Sequence, residues 1–81
     1  MARTDPAAAY LAAFGQAVRR FRQKLGKSQE QFAFDAEIDR TYMSGIERGV
    51  RNPTIKTLLR LCAVLGTTPS AVLKAAERDG E

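Results

Sequence analysis

Apolar residues recur along this chain at steps of three and four in five separate runs, and nowhere do they alternate with polar ones as a half-buried strand requires. The longest run is Leu11, Phe14, Val18, Phe21 and Leu25, a stripe of four turns on one helix face directed at a core. Asp5-Pro6 sets its start, an N-cap with proline at the first helical position, and Gly26 ends it. A second helix, Gln29 to about Ala36, opens on Ser28 with Gln31 three residues further on, the spacing of a capping box. It sends Phe32, Ala33 and Ala36 into the same core. The third, Arg40 to Arg48, is capped by Asp39, with Ile38 and Met43 spaced as a hydrophobic staple, and Gly49 suits the left-handed residue that closes it. Asn52-Pro53 and the cap Thr54 lead into a fourth, Ile55 to Leu65, with Ile55, Leu58, Leu59, Cys62 and Leu65 as its inward face and Gly66 as its stop. Thr68-Pro69 begins the fifth, which reaches about Ala76. The pattern predicts an all-α fold, five short helices in one compact domain. Residues 1–9 are a flexible N-terminus with the start of the first helix, frayed over Met1 to Thr4; 10–76 form the domain, and 77–81 a loose polar tail.

The third helix divides most sharply. Met43 and Ile46 lie three apart on a core face, whereas Arg40, Thr41, Ser44 and Gly45 lie on the other, which is short, polar and free to touch a partner. Charge suggests what that partner is. The chain has 81 residues, 44% hydrophobic and 27% charged, and carries a net charge of +4; between Arg19 and Lys27 five Lys/Arg meet no acid. A polyanion suits such a stretch, although a solvated helix face has the same composition. Asp35 and Glu37 stand near the C-terminal end of the second helix, unfavourably placed against its dipole, which turns that end away from a phosphate backbone.

Other chemistry is thinly represented. Cys62 is single and set in an apolar run, a core thiol rather than a nucleophile. With no His, no usual general base exists, and no Cys/His or carboxylate array has metal-ligand spacing, so neither catalysis nor a metal or other cofactor is expected. No apolar run approaches the roughly 20 residues of a membrane span, and no signal-peptide core follows a basic start, so the expected place is the cytoplasm.

Taken together, Ser28-Gln29 with Phe32-Ala33, Ile38-Asp39-Arg40-Thr41-Tyr42-Met43-Ser44, Ile46-Glu47-Arg48-Gly49 and Arg51-Asn52-Pro53 resemble the helix-turn-helix of the phage repressor/Cro (XRE) superfamily, a lambda-repressor-like DNA-binding domain. The resemblance runs from about Phe14 to Leu73, and Asp39 to Arg48 look most like the controller proteins of restriction-modification systems. It implies a sequence-specific regulator that binds half-sites of double-stranded DNA as a homodimer; the alternative is an antitoxin-type module that binds DNA and also grips a protein. It further implies that Gln29 anchors a phosphate, that Arg40, Thr41 and Ser44 meet base edges, and that Tyr42, Arg51, Asn52 and Arg19 lie along the backbone or adjoining edges. Arg40 suits guanine O6 and N7, and the Thr41 methyl suits a thymine methyl. By the same resemblance Glu47 pairs with Arg22, clamping the third helix onto the first; the plainer reading is two unrelated exposed charges.

Two positions depart from the family pattern. Glu37 stands where many relatives have Gly, so a left-handed turn there is strained and a differently built turn is expected. Gly45 stands where many have a long polar side chain, so direct readout is sparse and closer approach or DNA shape compensates. One helix with so few reading side chains needs a twin about 34 Å away. The expected twofold contact is built from Leu65, Val72, Leu73 and Ala76, because Val72 and Leu73 are neighbours and cannot both point fully inward.

Overall fold

Each helix starts on a side-chain oxygen placed just before it. In the computed structural model, which describes residues 5–79, the elements are α1 (Pro6–Lys24), α2 (Gln29–Asp35), α3 (Arg40–Arg48), α4 (Ile55–Leu65) and α5 (Pro69–Asp79), with no strand among the described residues. The amide of Ala7 donates to Asp5 at 2.9 Å, that of Gln31 to Ser28 at 3.0 Å, that of Thr41 to Asp39 at 2.8 Å, that of Thr57 to Thr54 at 3.1 Å and that of Ala71 to Thr68 at 3.2 Å. Each bond satisfies an orphan amide and stabilises by about 1 kcal/mol. The capping box at Ser28 is only half made, because the Gln31 side chain donates to Asp35 at 2.9 Å instead of returning to the cap.

α1 is the spine, packed against both α3 and α5. Its approach to α3 depends on two glycines. A β-carbon on Gly15 would lie 2.4 Å from the Ile46 carbonyl oxygen, and one on Gly49 would lie 2.6 Å from Ala12 Cα. Gly49 is also the left-handed residue (φ 78°) that ends α3. Around this contact the core gathers Phe14, Ala17 and Val18 of α1, Phe32 and Ala33 of α2, Met43 and Ile46 of α3, and the inner faces of α4 and α5. Burying side chains such as Phe32, Met43, Ile46 and Leu61 completely contributes about 1.5–3 kcal/mol each.

α4 is rotated relative to its expected face. Leu58, Leu61, Cys62 and Leu65 are buried, while Ile55 is 71% and Leu59 54% exposed. The helix carries more apolar residues than one stripe holds, and the core took the set that continues through Leu61. Of the four residues expected at the twofold contact, Val72 and Ala76 are wholly buried and Leu65 nearly so, closing the monomer core, whereas Leu73 is half-buried and keeps exposed surface. Leu25, at the end of the α1 stripe, is exposed, since α1 has ended by Lys24. Cys62 is buried as expected of a core thiol, and burial raises its pKa, which keeps it unreactive.

The C-terminal end also differs from expectation. α1 begins at Pro6, where the Asp5-Pro6 signal sets it, whereas α5 runs on to Asp79 instead of ending near Ala76. The Tyr10 hydroxyl donates to Glu77, tying that extra turn to α1, and the bond raises the phenol above the usual tyrosine range. The frayed stretch expected at Met1 to Thr4 and the last two residues of the expected tail lie outside the described residues.

Candidate nucleic-acid interface

The turn between α2 and α3 fixes how the two helices present themselves. The Glu37 amide donates to the Phe34 carbonyl at 3.1 Å and the Ile38 amide to the Ala33 carbonyl at 2.9 Å, the paired bonds of a Schellman helix end. That geometry requires a left-handed residue, and Glu37 supplies it at φ 57°. The turn is therefore built as a glycine turn would be, correcting the expectation of a different one, and the non-glycine residue costs about 1 kcal/mol.

Beyond the turn, Arg40 and Thr41 are exposed and Ser44 half-buried on the first turns of α3. With Gln29, the first residue of α2, they line one open depression of about 220 Å³. Four of the residues expected from sequence to meet DNA are thus neighbours in space. Arg51 and Asn52 are exposed in the connection after α3, and the Arg51 guanidinium carbon stands 5.9 Å from the centre of the Tyr42 ring, within cation–π range. Arg19 is exposed on α1.

Behind the depression lies a buried ionic clamp. Arg22 Nε donates to Glu47 Oε2 at 2.6 Å and Nη2 to Oε1 at 3.0 Å, while Nη1 donates to the Lys27 carbonyl at 2.8 Å. Arg22 is 9% and Glu47 3% exposed, and no buried side-chain polar atom lacks a partner among the described residues. Gln29 Nε2 donates to the same Oε1 at 3.0 Å. One carboxylate therefore ties α1, the start of α2 and α3 together, and its charge is neutralised by a two-point guanidinium contact rather than turned toward a polyanion. The Gln29 bond was not foreseen, because nothing in the spacing of residues 29 and 47 brings them together before the turn is known.

The acids at the end of α2 have a physical account as well. Asp35 accepts from Lys27, in the connection before α2, and from Gln31; these bonds hold its carboxyl below the usual aspartate range. Lys27 is thereby engaged within the chain. A second depression, of about 170 Å³ and mostly apolar, lies between Tyr10, Pro53, Ile55 and Leu73, among others. Its sequence signal was the surplus of apolar positions on α4. Among the described residues no group of three His, Cys, Asp or Glu is placed to hold a metal, and no single helix is long and apolar enough to cross a membrane.

Two helices joined by a Schellman turn, the second presenting a polar N-terminal face, define a helix-turn-helix protein. The family model described as Helix-turn-helix matches residues 18–72, and the chain belongs to that family of transcriptional regulators. It is similar to control protein C.BamHI of Bacillus amyloliquefaciens, 43% identical over 61 residues that span 74% of this chain and 75% of that one. Control protein C.MunI of a Mycoplasma species is 39% identical over 67 residues, 82% of this chain and 90% of its own. Among solved structures, the restriction-modification controller protein C.AhdI from Aeromonas hydrophila superposes with a TM-score of 0.75 at 40% identity, over 76% of this chain and 94% of that chain.

Proposed function

We propose that this chain is a cytoplasmic controller protein that binds an operator of two half-sites in double-stranded DNA as a homodimer, and regulates transcription from it without catalysing a reaction. The observation that carries this reading is the convergence of Gln29, Arg40, Thr41 and Ser44 on one open depression with a rigid ionic clamp behind it. Arg40, at the first position of α3, bonds a guanine edge; Thr41 and Ser44 meet neighbouring base edges. Gln29 has one amide hydrogen committed to Glu47 and keeps the other for a phosphate oxygen. Arg51, Asn52, Tyr42 and Arg19 follow the backbone on either side, where cations displace condensed counterions.

The twofold contact belongs on the face that the fold leaves uncovered. Ile55 and Leu59 are one turn apart on α4, both exposed, beside the apolar depression that Tyr10, Pro53 and Leu73 line. Only residues 49–54 separate α3 from α4, so a pairing on this face lies one short connection away from each α3.

The test is selection from a random double-stranded DNA library with the purified chain. The expected product is an inverted repeat whose half-site centres lie about 34 Å, one helical turn, apart or a multiple of that. Recovery of no enriched sequence, or of a single unrepeated half-site at full affinity, overturns the reading.

A further inference from the structure

Gly45 sits in the middle of α3, where glycine is the poorest helix former after proline, and it is buried although it lies on the polar side of that helix. Arg51 covers it. A β-carbon built on Gly45 would lie 2.5 Å from Arg51 Cγ, 3.3 Å from Nε and 3.4 Å from Cδ, so the arginine stem fills the space that a side chain at 45 would take. The path of the chain brings it there: the left-handed Gly49 reverses the backbone, and the Val50 amide donates to the Gly45 carbonyl at 2.9 Å. The guanidinium then reaches the Tyr42 ring, about one turn earlier on α3. Among the described residues no carboxylate pairs with Arg51.

We propose that Gly45 is a positioning residue for DNA binding: by lacking a side chain it seats Arg51 along α3, and Arg51 delivers to a DNA phosphate the cation that α3 itself lacks at that point. The proposal rests on the reading of α3 as the DNA-facing helix. An arginine held at both its stem and its guanidinium loses less freedom on contact than one waving from a loop, so the seat is a device of preorganisation. The glycine is thus kept against helix propensity because the space is already taken.

Four proteins decide it: wild type, Gly45→Ala, Arg51→Ala and the double variant. Each is titrated with the selected operator across a salt series, and melted without DNA. Gly45→Ala is expected to melt no lower than wild type, because alanine favours helix and the displaced arginine stem is at the surface. Its affinity falls about tenfold, as does that of Arg51→Ala, and the salt slope becomes shallower by about 0.9 in both. The double variant loses no more than either single one. In proton NMR of the free proteins, the upfield shift that the Tyr42 ring imposes on the Arg51 side chain disappears in Gly45→Ala. Wild-type affinity and slope in Gly45→Ala overturn the proposal, as does a double variant that loses the product of the single losses. Should Gly45→Ala fail to fold, the double variant settles the matter: Arg51→Ala removes the Cγ that a β-carbon at position 45 would strike, so a folded double variant supports the seat and an unfolded one overturns it. A wild-type chain that binds no DNA defeats the proposed function instead, and the NMR shift still reports whether Arg51 is seated.

Discussion

Replacing Glu47 by alanine removes one carboxylate and leaves three donors without it: Nε and Nη2 of Arg22, and Nε2 of Gln29. Arg22 keeps only its bond to the Lys27 carbonyl, and it cannot shed its charge. Removing one partner of a buried ion pair destabilises by about 3–5 kcal/mol, against about 0–1 kcal/mol for a surface pair. Arg22 retains a little exposure and Gln29 is only half-buried, so the lower end, about 3 kcal/mol, is expected. In a domain of this size each kcal/mol moves Tm by about 4–8 °C, which places the loss near 12–24 °C. Total stability for such a chain is about 5–10 kcal/mol, so the variant still folds at room temperature and can be measured.

The assay is thermal melting by circular dichroism at 222 nm, with urea unfolding at 25 °C as a check on the slope. Converting both members to apolar residues of similar volume, Arg22→Met with Glu47→Leu, restores much of the loss, because the penalty lies in the stranded charge rather than in a large favourable pair energy. A cooperative melt within about 5 °C of wild type for Glu47→Ala refutes the clamp, since a shift that small corresponds to about 1 kcal/mol and to a surface pair.

Four further outcomes are expected. Arg40→Ala weakens operator binding by about 1–3 kcal/mol and relaxes preference at one base pair per half-site; an equal loss on operator and random duplexes in a fluorescence titration counts against base reading. Leu59→Glu keeps the monomer fold, because its side chain is exposed, and shifts sedimentation to monomer; an unchanged dimer moves the interface elsewhere. Glu37→Gly raises stability by about 1 kcal/mol by relieving the left-handed turn residue, and a lower urea midpoint would contradict that. For Asp35, a carboxyl held below its ordinary range binds its proton less readily folded than unfolded, so the stability it adds is present above about pH 4 and lost as pH falls through the lowered value. The Tm difference between wild type and Asp35→Asn should therefore close in that acid window, and a difference constant down to pH 2 would remove the linkage.

What the sequence made legible was mainly local. Asp5, Ser28, Asp39, Thr54 and Thr68 each act on an amide two or three residues away, so helix starts could be read without knowing the fold. The polar side of α3 was legible for the same reason, because Met43 and Ile46 mark its core face, whereas the burial of Gly45 depends on Arg51 arriving from beyond the helix. The orientation of α4 was not. Ile55 and Leu59 are as apolar as Leu58 and Leu61, and only the packing of α1, α3 and α5 decides which pair is covered. Val72 and Leu73 show how far adjacency reaches: one is wholly buried and the other half-buried, so only Leu73 of the two keeps exposed surface. Glu37 shows the opposite case, in which an unsuitable residue is carried by a turn whose two hydrogen bonds and flanking helices determine its backbone.

The short connection from Gly49 to Thr54 joins the two halves of the proposed activity. Its first part lays Arg51 against α3, and its last residue caps the helix whose Ile55 and Leu59 form the uncovered face. A dimer built on that face holds both Arg51 side chains and both α3 helices in a fixed relation, so the second half-site is met as an intramolecular event rather than a second encounter. Below the dimer dissociation constant, occupancy then rises with the square of chain concentration, because two copies must meet for either reading helix to be used fully. This separates the variants by the form of their binding curves. Arg40→Ala shifts the curve to higher concentration without changing its steepness, whereas Leu59→Glu changes the concentration dependence itself, from second order toward first, while each α3 remains able to contact a half-site. A regulator whose output depends on accumulating past a threshold needs the second-order form, and the proposed dimer assigns that property to two side chains on α4 that the hydrophobic core left exposed.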